Sequence, residues 1–404
     1  MDRALAHKLS VVIPAYNEED GICAIIDRVS AIRLALEAMG IGLEVIVVDD
    51  GSHDATCERV RGFANVCLVQ HPTNRGYGAA LKSGFRAASG DLLGFLDADG
   101  TYPPEYFPAL CQEVLNGADL VVGSRRSGAT SEMPIIRRVG NAIWSALVTL
   151  LGGQRVLDPA SGMRVFRREV IERLYPLPDG LNFTPVMSTR AIHEGIRLVE
   201  TPIPYRERVG RSKLRVVKDG LRFLRTIVWT VLGYNPARLL GGVGVLLCAL
   251  GALAAITLLI MRLAGITRLG PWGIAGLYAG SLFSVIGVSL FSLGATFNYL
   301  VSLFHRRPIR QGLFGRPIFR TPLDRYFGWI GLLAAITGLG IGLAGFLLGL
   351  NGWPIERLWF YGLIASMAIL LGIQLVIFWI IMRVLEELSR RDVLAHEDLQ
   401  RTPQ

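Results

Sequence analysis

Along the first half of the chain, short runs of β-branched and aliphatic residues alternate with segments whose apolar positions recur every three or four residues. The runs are 10–14, 43–49, 66–71, 92–97 and 120–123. Such alternation of strand and helix patterns predicts a mostly parallel, doubly wound α/β sheet. After Val231 the pattern changes: four long stretches, 239–261, 269–304, 326–355 and 358–382, are almost free of charge. Each exceeds the ~20 residues that a helix needs to cross a bilayer. They are rich in Gly and Ala, and Trp272, Trp329, Trp353 and Trp359 stand at their ends, as interfacial aromatics do.

Between the two regimes, residues 212–228 read as a basic amphipathic helix. Arg215, Lys218, Arg222 and Arg225 share one face, and Leu214, Val217, Leu221, Leu224 and Val228 form the neighbouring apolar stripe. A helix of this kind can lie among lipid headgroups, although packing on the preceding domain would also use its stripe. The chain therefore divides into an α/β domain (1–211), an amphipathic juxtamembrane segment (212–234), an all-α transmembrane domain of four helices (235–385) and a tail (386–404). No internal repeat or low-complexity tract stands out.

Composition reinforces the second half of this picture. Of 404 residues, 51% are hydrophobic and only 19% charged, and the mean hydropathy of +0.42 is too high for a pair of soluble domains. The net charge of +9 could point to nucleic acid, but the basic residues gather beside the apolar stretches and are not interleaved with aromatics. Anionic lipid headgroups and phosphate ligands are the expected partners, and nucleic acid is not. The loop after the second stretch carries His305, Arg306, Arg307, Arg310, Arg316, Arg320 and Arg325. By the positive-inside rule this loop and both termini are expected in the cytosol. Residues 1–10 contain no apolar export segment, which agrees with a cytosolic first domain in a cell-membrane protein. Five cysteines without CxxC spacing suit reduced packing residues.

In a doubly wound sheet, ligands bind beyond the carboxyl ends of the strands. There the sequence is polar: Pro14, Tyr16, Asn17, Glu18 and Glu19 follow the first run, Asp49, Asp50, Gly51, Ser52 and Asp54 the second, and Asp97, Ala98 and Asp99 the fourth. Each cluster alone is ordinary turn and helix-cap composition. Together they place three acidic groups along one sheet edge. Asp97 and Asp99, separated by one small residue in Phe95-Leu-Asp-Ala-Asp-Gly-Thr-Tyr-Pro-Pro104, could hold a hard divalent cation that neutralises a diphosphate.

Several stretches, in this order, resemble glycosyltransferase family 2, and within it the polyprenyl-phosphate glycosyltransferases. They are Val11-Val-Ile-Pro-Ala-Tyr-Asn-Glu-Glu19, Val47-Val-Asp-Asp-Gly-Ser52, Asn74-Arg-Gly-Tyr-Gly-Ala-Ala-Leu-Lys-Ser-Gly84, Asp97-Ala-Asp99, Gly123-Ser-Arg125, Asp158-Pro-Ala-Ser-Gly-Met-Arg164 and Arg208-Val-Gly-Arg-Ser-Lys-Leu214. The resemblance implies a GT-A-type domain in which Pro14, Tyr16, Glu18, Asp49 and Asp50 hold base and ribose, with Lys82 and Ala98 beside them. It implies Mg or Mn on Asp97 and Asp99, and an acceptor phosphate at Arg125, Arg138 and Asn141. Arg208, Ser212 and Lys213 correspond to a membrane-proximal substrate motif. Thr101 stands where several family members carry Gln, and the last motif is one residue shorter than its commonest version.

The implied substrates are a nucleotide-sugar, a UDP-hexose ahead of GDP-mannose, and a polyprenyl phosphate; a homo-oligomer is left open. A phosphate monoester is already ionised at neutral pH, so this transfer requires no general base, and none of the six histidines has an assigned role. A processive polysaccharide synthase would usually carry Q-x-x-R-W, which is missing here because no Trp follows an Arg. An inactive membrane scaffold or flippase would not need the acidic motifs.

Overall fold

The computed structural model describes residues 5–126, 135–152, 154–205, 216–266, 269–305 and 323–400. Two compact units divide at Val231 and Leu232.

Among its described residues the first unit is built on seven strands: β1 (His7–Ala15), β2 (Ile41–Asp49), β3 (Val66–Gln70), β4 (Leu92–Phe95), β5 (Leu120–Ser124), β6 (Arg164–Arg167) and β7 (Leu198–Pro202). Their order across the sheet is β3-β2-β1-β4-β6-β5-β7. The first five coincide with the apolar runs. β2 alternates in its first half and is buried throughout its second, as a strand covered on both faces must be. β3 lies at the edge and is only half-buried. β1 pairs in parallel with both β2 and β4, so the chain reverses its direction of progress across the sheet at β1. That makes the β1/β4 crevice the topological switch point, where ligands of open α/β sheets bind.

Two strands were not legible in the apolar pattern. β6 is short and has Arg at both ends, and it enters antiparallel between β4 and β5. β7 then adds in parallel to β5. The sheet is therefore mixed on one side of the switch point, within the α/β GT-A-type, doubly wound arrangement that was expected.

One face is packed by rings. Phe85 meets Phe95 and Phe166 at centroid distances of 5.9 and 5.4 Å, and Phe183 meets Phe95 at 6.2 Å. Phe85 belongs to the helix Tyr77–Ala87, which this cluster holds against the sheet. The approach is close: a Cβ on Gly84 would lie 2.2 Å from a Val12 methyl. The start of that helix is thereby held near the strand ends.

Among its described residues the second unit has four helices long and apolar enough to cross a membrane, Pro236–Leu263, Pro271–Val301, Phe327–Leu350 and Arg357–Leu388. Glycines spaced by seven form the seams. Gly244 and Gly251 face Gly287 and Gly280, and Gly241 faces Gly294, across the first helix pair, and a Cβ on Gly287 would lie 2.6 Å from the Cys248 nitrogen. Gly331 and Gly338 do the same in the second pair, where a Cβ on Gly338 would lie 2.8 Å from the Ala365 carbonyl. Small residues that let helix backbones approach are what lipid-embedded helices use for packing. Gln374 donates to Ser289, linking the fourth span to the second.

Candidate active site at the strand ends

The loops after β1 and β2 are laced together. Asn17 takes a left-handed conformation, φ 50°, supported by its amide donating to Ser52 Oγ and its side-chain oxygen accepting from the His53 amide, both at 2.9 Å. The Glu18 amide donates to Thr56 Oγ1. Pro14, Tyr16, Glu18, Asp49 and Asp50 are thus gathered at adjacent strand ends. The Asp50 carboxylate is turned into its own chain: it is 3% exposed, and it is bonded to His71 Nδ1 at 2.6 Å and accepts the amides of Arg75 and Gly76 at 2.9 and 2.8 Å. It winds the segment after β3 into shape. Asp49 accepts the Ser52 amide at 3.0 Å. Lys82 donates to the Leu177 carbonyl at 3.0 Å and pairs with Asp179 at 2.5 Å, so it pins the loop that covers its helix.

After β4 the chain delivers Asp97, Ala98 and Asp99. Ala98 is buried. Asp99 Oδ1 accepts from the Thr101 hydroxyl and amide at 2.6 and 3.2 Å, which gives Thr101 the task of bracing this carboxylate. Asp97 Oδ1 accepts from the Tyr77 hydroxyl at 2.7 Å. Among the described residues no group of three or more His, Cys, Asp or Glu side chains could hold a metal. Two carboxylates at one strand end are nevertheless the donor set that suits Mg2+, which keeps several waters and takes its remaining oxygens from substrate phosphates.

A second cluster forms around Asp158. Arg125 grips this carboxylate through Nε and Nη2, each at 2.7 Å, and its backbone amide adds a third bond at 3.0 Å. The guanidinium lies 5.7 Å from the Tyr102 ring and 5.4 Å from the Tyr205 ring. Asn141 donates to the same carboxylate at 2.8 Å. The pair is desolvated, with side-chain exposures of 12% for Arg125 and 0% for Asp158. Burial opposes the charge on Asp158, but the Arg125 charge and the hydrogen bonds from Arg125 and Asn141 together outweigh it and hold the carboxyl below its usual range. Glu200 accepts the Leu157 and Asp158 amides, and burial raises its own carboxyl.

Arg138 is exposed on the helix Ile135–Gly152, one turn before Asn141. Arg208, Ser212 and Lys213 lie outside the described residues, as do Leu214 and Arg215 and the loop arginines from Arg306 to Arg320; of Val217 and Lys218, the structure describes the backbone alone. Within the helix Val216–Tyr234, the buried side is Phe223, Ile227 and Val231. Phe223 meets Trp144 edge-on at 6.2 Å, and Thr226 accepts from Asn182 at 3.0 Å. Leu221 and Leu224 of the expected stripe are exposed, with Trp229, Arg222 and Arg225. The helix therefore packs on the first unit through one apolar face while a second stays outside.

Tyr77, Tyr102, Asp158 and Gly162 lie within the motif stretches, but the motifs assign them no role. Tyr205 carries no signal beyond its place just before the motif that starts at Arg208.

The family model for glycosyl transferase family 2 matches residues 10–175, and that of a domain of unknown function, DUF8752, matches residues 236–396. Undecaprenyl-phosphate 4-deoxy-4-formamido-L-arabinose transferase of Aeromonas hydrophila subsp. hydrophila is 32% identical over 322 residues, 78% of this chain and 94% of its own. The low-salt glycan biosynthesis hexosyltransferase Agl6 of Haloferax volcanii is 32% identical over 384 residues, 93% of this chain and 88% of its own. Among solved structures, glucosyl-3-phosphoglycerate synthase from Mycobacterium tuberculosis, in complex with Mn2+, uridine diphosphate and phosphoglyceric acid, is 26% identical with a TM-score of 0.44, covering 56% of this chain and 78% of its own.

Proposed function

The chain belongs to glycosyl transferase family 2, and from that premise we propose that it moves a hexose from a nucleotide-sugar onto polyprenyl phosphate at the cytosolic face of the membrane, inverting the anomeric carbon. A UDP-hexose is the favoured donor and GDP-mannose the alternative. The observation that carries this reading is one chain that joins a strand-end Asp97-Ala-Asp99 to four membrane-length apolar helices. Relatives named for undecaprenyl-phosphate transfer support the acceptor class.

In this reading the acceptor phosphate is its own nucleophile. One of its oxygens forms the new bond to the anomeric carbon as the bond to the nucleoside diphosphate breaks, and no proton has to be removed first. Mg2+ or Mn2+ held by Asp97 and Asp99 would supply charge neutralisation at the diphosphate. Pro14, Tyr16, Glu18, Asp49 and Asp50 shape the nucleotide side. Arg125, fixed by Asp158 and two tyrosine rings, offers the acceptor a preorganised positive group that needs no reordering during reaction. Asn141, bonded to the same Asp158, would act beside it, and Arg138, one turn earlier on that helix, and the resembling Arg208, Ser212 and Lys213 would contribute the remaining positive and polar groups. The exposed Leu221, Leu224, Arg222 and Arg225 suit a headgroup layer, which would set the height of the site against a lipid-anchored acceptor.

The test is incubation of membranes containing the protein with a panel of radiolabelled nucleotide-sugars and polyprenyl phosphate. One sugar should enter the lipid fraction, and Asp97→Ala or Asp99→Ala should abolish its transfer while the protein still folds. Equal activity in chelator and in Mg2+ would defeat the metal assignment. Labelled polymer in place of labelled lipid would defeat the acceptor.

A further inference from the structure

We propose that Tyr77 is a positioning residue for the leaving-group end of the site: its hydroxyl holds the Asp97 carboxylate in the orientation that presents it, with Asp99, to a divalent cation on a nucleoside diphosphate. The inference rests on the metal-dependent transfer proposed above.

The backbone at Tyr77 is fixed from both sides. Upstream, the Arg75 and Gly76 amides donate to the buried Asp50 carboxylate at 2.9 and 2.8 Å. Gly76 adopts φ 104°, which side chains resist, and so turns the chain into the helix Tyr77–Ala87. Downstream, the Gly78 and Ala79 amides donate to the Asp179 carbonyl at 2.7 and 3.1 Å. A Cβ on Gly78 would lie 2.1 Å from the Pro178 carbonyl, so this contact leaves no slack. The phenol is thereby aimed from a fixed base.

Its target is gripped from the other side. A Cβ on Gly162 would lie 2.5 Å from Asp97 Oδ2, and the Gly162 amide is itself held by the Tyr102 hydroxyl at 2.7 Å. With Gly162 as a wall and Tyr77 donating to Oδ1 at 2.7 Å, the carboxylate has little rotation left. A neutral hydroxyl donating to an ionised carboxylate also supports the charge that binds a cation. Groups that orient a metal's ligands in this way are typically worth about ten- to hundredfold in metal affinity. The arrangement has a further consequence. Asp50 at the end of β2 winds the segment that carries Tyr77, and Tyr77 orients the carboxylate after β4. The nucleotide side and the diphosphate side of the site are thus joined by one short, rigid connection.

A purely structural Tyr77 would fill space with its ring, and Phe would serve as well. The experiment uses full-length wild type and Tyr77→Phe in detergent, with calorimetric binding of UDP and of GDP, each in chelator and in Mn2+, and Mn2+ binding followed by electron paramagnetic resonance. Wild type should bind one nucleotide more tightly with Mn2+. Tyr77→Phe should keep the affinity measured in chelator and lose about tenfold or more of the affinity for Mn2+. Combining Tyr77→Phe with Asp97→Asn should be no worse than Asp97→Asn alone. The two conditions are compared within each variant, so any shared loss of stability cancels. Wild-type Mn2+ affinity in Tyr77→Phe, or an equal loss with and without Mn2+, would overturn the role of Tyr77. If wild type itself gains nothing from Mn2+ with either nucleotide, the metal-dependent reading fails and this inference with it.

Discussion

The two units of this chain solve opposite packing problems with much the same apolar residues. In the first, large side chains point inward: Phe85, Phe95, Phe166 and Phe183 meet one another beside β1 and β4, and the polar groups that must be buried are held in bonded clusters around Asp50 and Asp158. In the second, glycines point inward and large residues outward. Gly331 and Gly338 touch the fourth span, whereas Leu253 is 61% and Leu333 69% exposed. Water rewards burial of apolar area. Lipid gives no such reward, so close backbone approach and an occasional polar contact such as Gln374 to Ser289 hold the helices together. A leucine is therefore a core residue in one unit and an outward, lipid-compatible one in the other.

The sharpest break of this contrast is Asp158→Ala. It leaves the Arg125 guanidinium buried without its partner, a loss of about 3–5 kcal/mol. Hydrogen exchange followed by mass spectrometry should show the first unit opening more readily while the four spans keep their protection. Equal loosening of both units would mean that they unfold as one. Next in size is Gly338→Leu, which forces a large side chain against the Ala365 carbonyl. Overpacking of this kind costs about 1–3 kcal/mol, read as a lower melting temperature in detergent. Its counterpart Leu333→Ala, on the outward face, should change stability by no more than about 0.5 kcal/mol. A larger effect there would make that face a protein contact.

Acid should also separate the units. Burial works against the Glu44 charge, but hydrogen bonds from Ser10, Ser89 and Lys8 outweigh it and bring the carboxyl from an ordinary 4.5 to about 2. The folded value lies below the unfolded one, so this contribution is complete above about pH 4.5 and disappears as the pH falls through about 2. Asp158 shifts in the same direction. A pH titration followed by near-ultraviolet circular dichroism should show the first unit losing its tertiary signal while the far-ultraviolet helical signal of the spans persists. Glu44→Gln should move the onset of that loss only slightly, since one half-exposed network is involved.

What the sequence determined by itself was everything written in local pattern. The apolar runs located the first five strands: inner strands covered on both faces must be largely apolar, and the edge strand β3 is marked by its β-branched and aliphatic run although it is only half-buried. Four charge-free stretches located the spans, because lipid tolerates little else. Strand-end position, with the family resemblance, located Asp49, Asp50, Asp97 and Asp99. Only the tertiary structure decided what those side chains touch. It turned Asp50 into the segment after β3 and Lys82 onto Asp179. It committed Arg125 and Asn141 to Asp158, and brought the Tyr77 hydroxyl to Asp97 across twenty residues of chain. It also inserted β6 antiparallel beside β4 and chose Phe223, Ile227 and Val231 as the packed face of a helix with two apolar sides. Periodicity fixes which residues of one element share a face. Which face is covered, and which partner meets a given carboxylate, depends on distant segments whose arrival no local pattern encodes.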